Sequence, residues 1–185
     1  MNGPAKIEAN LRRWLSEHRP LDAGDVIVSE LCFLDKRNRA DLVHANGLLS
    51  AFEIKSAADT LVRWREQMAA YLQVFDEVWL CFHSKHAARA IEASAPRVGL
   101  LVADDLGAVA VVRTAKRNTS VSAYHLTGLL WRSELDNLSR AHGLPVHRRE
   151  SIKEARQRAS QLLPLDVIRT EVLRCLKSRY TEDRS

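Results

Sequence analysis

Glu53-Ile54-Lys55 sets a carboxylate and an ammonium two residues apart in the otherwise apolar stretch from Leu48 to Ser56. If that stretch is a strand, its period of two turns both charges to one face and Phe52 and Ile54 to the other. Charges on a packed face are costly to remove from water without a partner, and a metal ion would be such a partner. Asp41 is the upstream carboxylate that could share it. A plain two-residue turn at Asn46-Gly47 would set Asp41 opposite Phe52 and on the wrong face. A three-residue loop, Ala45-Asn46-Gly47 with Gly47 left-handed, sets Asp41 opposite Ala51 and makes it a diagonal neighbour of Glu53, roughly 7 to 8 Å away at the backbone. Two hard carboxylates with room for water suit Mg²⁺ or Mn²⁺, and Lys55 beside them can hold an attacking water, so the chemistry indicated is phosphodiester hydrolysis.

The elements that must position these residues follow from periodicity. Ile7, Leu11, Trp14 and Leu15 recur at helical spacing, with Pro20 expected to end that helix. Residues 26–33, 39–44 and 48–56 read as three strands, the last two joined as a hairpin. Asp59 is the expected N-cap of a helix over 60–75, striped by Leu61, Trp64, Met68, Leu72 and Phe75. A buried strand at 78–82, a short helix at 85–93 and strands at 98–103 and 108–113 complete an αβββαβ order with additions. Residues 114–123 are small and polar and read as a linker or exposed loop. Helices are expected over 126–142, stopped by Gly143, then over 152–163, opened by a Ser151/Glu154 capping box, and over 167–180 after Pro164.

Composition narrows the classes. The hydrophobic share of 46% and charged share of 28% are those of a folded soluble protein. No apolar run is long enough to span a bilayer and the first residues lack a signal-peptide core, which points to the cytoplasm. Cys32, Cys81 and Cys175 form no C-x-x-C pair and read as buried thiols. The net charge of +5 favours a polyanionic partner, and most of the excess lies after residue 124.

Asp41, Glu53-Ile54-Lys55 and the αβββαβ order resemble the PD-(D/E)XK nuclease superfamily. Gln67-Met68-Ala69-Ala70-Tyr71 on the next helix is similar to the Q-x-x-x-Y motif of its RecB-like members. Ala40 stands where the family's name motif has proline. The resemblance covers about residues 5–113 and suggests a small bacterial or prophage-type member. It implies a restriction-endonuclease-like core with a mixed central sheet over 1–115, a linker or loop at 116–123 and a basic helical region over 124–185. It further implies that Asp41, Glu53 and the Ile54 carbonyl bind the metal, that Lys55 positions the water, and that Gln67 and Tyr71 orient the site or touch the substrate backbone.

Arg63, Gln67 and Tyr71 recur every four residues as one polar stripe, a nucleic-acid contact or a solvated face. Glu30 is either a further site carboxylate or a partner of Arg39, and Arg39 itself could reach a phosphate. Arg148, Arg149 and Lys153 lead the basic residues of the helical region, which either touch a nucleic-acid backbone or form the outer face of a bundle. His83 and His86 read as a helix-cap region. The activity expected is a Mg²⁺-dependent endonuclease acting on DNA rather than RNA, with no membrane partner and a homodimer left open. Its rivals are a non-cutting nucleic-acid-binding module, a nuclease for structured RNA such as tRNA, and an interaction protein held through its helical tail.

Overall fold

The computed structural model describes residues 3–19 and 21–182. Six strands form one mixed sheet in sequential order: β1 (Val26–Phe33), β2 (Asn38–Ala45), β3 (Leu49–Lys55), β4 (Glu77–His83), β5 (Gly99–Ala103) and β6 (Val109–Arg113). β1, β2 and β3 pair antiparallel, β3, β4 and β5 pair parallel, and β6 returns antiparallel on β5. Parallel pairing needs crossovers, and helices α2 (Trp64–Tyr71) and α3 (Ala87–Ala93) supply them. Every residue of β4 is buried, as its unbroken apolar run requires of a strand covered on both faces.

Helix α1 (Pro4–His18) lays Ile7, Leu11, Trp14 and Leu15 on one face of the sheet, against Leu42, Phe52, Ile54, Trp79, Cys81 and Leu101. Pro20, expected to stop it, lies outside the described residues. The opposite face is covered by α2 and by α4 (Ala123–Thr127), α5 (Arg132–Ala141), α6 (Ile152–Leu162) and α7 (Leu165–Glu182), which share a continuous core with the strands. No described helix is long and apolar enough to cross a membrane.

Three helix boundaries differ from expectation, each for a local reason. Asp59 does not cap α2, because its carboxylate accepts from the backbone N–H and hydroxyl of Ser56. The helix stops at Tyr71 rather than Phe75: the side-chain amide of Asn118 donates to the carbonyls of Leu72 and Phe75, taking up the free acceptors at its end. Asn118 therefore belongs to a segment that is irregular yet tied in, and Ala115, Asn118 and Val121 are buried where an exposed linker was expected. Residues 126–142 break after Thr127 because a straight helix of about 3.6 residues per turn would put Leu135 on the opposite side from Leu126. The break lets both face the core. The Ser151/Glu154 capping box forms, and Gly143 is left-handed as expected. Cys32 is exposed rather than buried.

Candidate active site

Asn46, Gly47 and Leu48 form the loop between β2 and β3, with Gly47 at φ +94°. A three-residue loop with a left-handed glycine is what the site requires, but it sits one residue later than expected. Leu42 consequently pairs with Phe52, and the ladder ends there. The Asp41–Glu53 pair that would come next is missing from the ladder, and the two carboxylates meet instead as linings of one cleft.

The strands are interrupted at this point. Val26 and Val28 of β1 face the α2 side, but so do Leu31 and Phe33, and on β2 Val43 and Ala45 share that side with Ala40. The alternation slips by one residue at Glu30 and Asp41, the opposed pair missing from the β1–β2 ladder. Glu30 absorbs the slip with a left-handed backbone (φ +58°), uncommon for a residue with a side chain. Asp41 has lost its ladder neighbour on both sides, and its carboxylate takes the place of a strand by accepting from the Ile54 N–H at 2.7 Å.

Glu53, only 3% exposed, is the hub. Its Oε1 accepts from Lys55 Nζ at 2.6 Å and from Gln67 Nε2 at 2.5 Å, and its Oε2 accepts from the Tyr71 hydroxyl at 2.5 Å. Gln67 and Tyr71 lie one helical turn apart on α2, which the β3–α2–β4 crossover lays over this face. Tyr71 is 1% exposed. It cannot touch a nucleic-acid backbone and serves to orient Glu53, with its proton held by burial and by the adjoining carboxylate, which raise its pKa well above 10.0. Oε1 of Gln67 is buried without a partner, a spare hard oxygen beside the hub.

Asp41, Glu53, Ile54 and Lys55 line a cleft of about 390 Å³ with Glu8, Glu30 and Asp59 and with Pro4 and Ala5 of α1. Glu8 and Asp59 had no sequence signal, since only the tertiary fold brings the start of α1 and the β3–α2 connection to β3. Glu30 reaches the cleft but is paired with Arg39 at 2.5 Å. Arg63 is exposed at the start of α2 and does not line the cleft. Arg148, Arg149 and Lys153 are exposed near the start of α6, also away from it. Much of the other basic charge of the tail is spent internally, in pairs such as Arg156 with Asp35, Arg169 with Asp76, Lys177 with Asp25 and Arg179 with Glu134. His83 caps the turn that follows β4 by accepting from the Lys85 N–H.

Among the described residues no three His, Cys, Asp or Glu side chains gather as a ready metal cluster. The donor set here is two carboxylates, a carbonyl and space for water, which suits a divalent ion that keeps part of its hydration shell. The electrostatics fit: burial first, then the charge of Glu53, push the Asp41 carboxyl from 3.8 up to about 6. A carboxyl raised in this way by burial and a neighbouring carboxylate is relieved by a cation.

A stability test follows from this. A carboxyl whose folded pKa is raised contributes stability below the unfolded value and loses it as pH rises through the folded one. Asp41→Asn keeps an acceptor for Ile54 N–H and removes the charge. Without divalent ions it should match the wild type near pH 4 and exceed it above pH 6.5. The gain should be on the order of 1 to 2 kcal/mol, solvent in the cleft reducing the larger figure that the shift alone would give. Urea unfolding at the two pH values measures it, and a variant less stable than wild type at pH 7 would contradict the arrangement.

Residues 4–185 match the family model described as Bacteriophage P4 protein cII. The chain belongs to that family. Protein cII of Enterobacteria phage P4 is 25% identical over 178 residues, which cover 95% of this chain and 67% of the relative. No solved structure matches the chain. The phage affiliation agrees with the prophage-type origin suggested by the sequence.

Proposed function

We propose that this cII-family chain is a Mg²⁺- or Mn²⁺-dependent nuclease of the PD-(D/E)XK kind, hydrolysing phosphodiester bonds of DNA as an endonuclease. One observation carries the reading: a buried glutamate whose oxygens are fixed by Lys55, Gln67 and Tyr71 and which lines one cleft with Asp41. The matching αβββαβ order of the sheet and its first helices supports it.

Asp41, the remaining lone pair of Glu53 Oε2 and the Ile54 carbonyl would hold the ion. Bound there, it would supply a polarised phosphate oxygen and a water of lowered pKa. Gln67 and Tyr71 hold Glu53 still, and the Ile54 N–H does the same for Asp41. Lys55, its side chain 12% exposed, can turn its ammonium from Glu53 towards the cleft to orient the attacking water and offset charge on the phosphate. Glu8, Glu30 and Glu53 are paired with Arg12, Arg39 and Lys55, but Asp41 and Asp59 make no such ion pair among the described residues and repel a phosphate until a cation is present, so cutting should depend on the divalent ion.

The test is cleavage of supercoiled plasmid with Mg²⁺, with EDTA, and by Lys55→Ala. Expected are nicking or linearisation in Mg²⁺ alone and a loss of about 10²-fold or more in the variant, the usual size of a lost proton-handling or charge-stabilising group. Metal-dependent cutting that survives Lys55→Ala overturns the assignment. A non-cutting nucleic-acid-binding module is favoured by one observation, that both lone pairs of Glu53 Oε1 are already taken. It requires that calorimetry find no Mg²⁺ binding to the wild type.

A further inference from the structure

A second and larger cavity, about 610 Å³, opens beside the cleft between the β1–β2 turn and helices α5, α6 and α7, and Glu30 lines both. Its lining is unlike that of the acidic cleft. Lys36 is exposed and brings positive charge, and Trp131 and Tyr180 bring aromatic surface. Arg132, Arg156 and Arg179 line the cavity as guanidiniums paired with Asp136, Asp35 and Glu134, and Glu30 and Asp35 also line it. Trp131, at the start of α5, is 60% exposed, whereas Trp14, Trp64 and Trp79 are buried. The Arg179 guanidinium lies 4.5 Å from the centre of its ring and is itself held by two contacts to Glu134. An indole held on a fixed cation and exposed to this extent has a face on which a planar group can stack.

The adjoining turn is strained: Leu34, Asp35 and Lys36 are all left-handed, and Asp35 is tied to Arg156 of α6. Three consecutive such residues with side chains persist only where surrounding contacts hold them. Their effect is to present Lys36 at the groove.

We infer that this groove binds a single-stranded segment of the nucleic acid flanking the scissile phosphate, one base stacking on Trp131 and the backbone passing Lys36 and Arg132 towards Glu30 and the cleft. The inference rests on the nuclease reading for what lies at the other end of the groove. The exposed Lys36, the partly exposed guanidinium of Arg132 and the exposed indole of Trp131 select the occupant: a polyanion with aromatic bases can meet all three, as in single-strand binding grooves.

Anisotropy titrations with a fluorescein-labelled 20-nucleotide single strand, in EDTA, compare the full chain with Trp131→Ala, Trp131→Phe and Lys36→Glu. Base stacking of this kind is worth about 1 to 3 kcal/mol, so Trp131→Ala should weaken binding roughly 5- to 100-fold. Trp131→Phe should recover most of the affinity, and Lys36→Glu should flatten the salt dependence by about one phosphate contact. Intrinsic fluorescence should fall on binding, because the exposed tryptophan is the one that meets the base. Binding by Trp131→Ala equal to wild type, or no binding of the single strand by the wild type, overturns the groove. If the wild type cuts plasmid and Trp131→Ala cuts with unchanged KM, the groove fails and the nuclease stands. If binding depends on Trp131 but no substrate is cut, the groove stands and the nuclease fails.

Discussion

Glu53→Gln is expected to lower Mg²⁺-dependent cleavage about 10³-fold while leaving the fold almost as stable as the wild type. The size follows from removing one of two charged ligands: several kcal/mol of charge stabilisation in the transition state, at about 1.4 kcal/mol per factor of ten. The small stability cost follows from the hydrogen bonds. A glutamine oxygen can still accept from Lys55 and Gln67, and its amide can donate to the Tyr71 oxygen. The displaced Tyr71 proton then turns to the Arg39 carbonyl, already 3.4 Å from that hydroxyl. Glu53→Ala lacks this escape and leaves three donors without their acceptor, each costing about 1 to 3 kcal/mol when buried. With Glu53 neutral, Asp41 also loses its like-charged neighbour, so its carboxyl should titrate below about 6 though burial, the larger cause, remains. Plasmid cleavage together with urea unfolding separates the two effects. A Glu53→Gln chain that cuts at the wild-type rate removes the nuclease reading, whereas one that fails to fold removes the hydrogen-bond account.

The sheet and the placement of Asp41, Glu53, Lys55, Gln67 and Tyr71 were legible because they depend on short-range patterns. Apolar alternation marks the strands, and a four-residue step marks the helix face. The register was legible only as a condition, since two turn lengths fit the same sequence, and the actual loop, Asn46 to Leu48, was neither of the two drawn. The interruption at Glu30 and Asp41 was hidden in the sequence, because Ile27 and Cys32 are apolar as well and blur the alternation of Val26, Val28, Leu31 and Phe33. Glu8 and Asp59 left no local trace, because their approach to the cleft is purely tertiary. The basic tail misled for a related reason. Composition counts charges without their partners, and Arg156, Arg169, Lys177 and Arg179 are each matched to a carboxylate far away in sequence.

One of those partners is expected to matter more to stability than any residue of the cleft. Asp76, 2% exposed at the entrance to β4, binds Leu49 N–H with Oδ2 at 3.0 Å and Arg169 Nε with Oδ1 at 2.8 Å, and its own carbonyl accepts from Asn118 N–H at 2.7 Å. Leu49 is the first residue of β3, so this carboxylate fixes where β3 begins against β4, and with it the height at which Glu53 and Lys55 stand. Through Arg169 it also ties α7 to the sheet. Asp76→Ala leaves the Leu49 N–H without its acceptor and Arg169 with only the solvent-exposed carboxylate of Asp166, and the cost should be about 3 to 5 kcal/mol in urea unfolding. Part of the loss belongs to the half-buried arginine whose charge only Asp166 then offsets, so adding Arg169→Leu should restore that part even though a second contact has been deleted. Additive losses in the double variant would mean that Asp76 and Arg169 act independently and that α7 is held to the sheet by its apolar face alone.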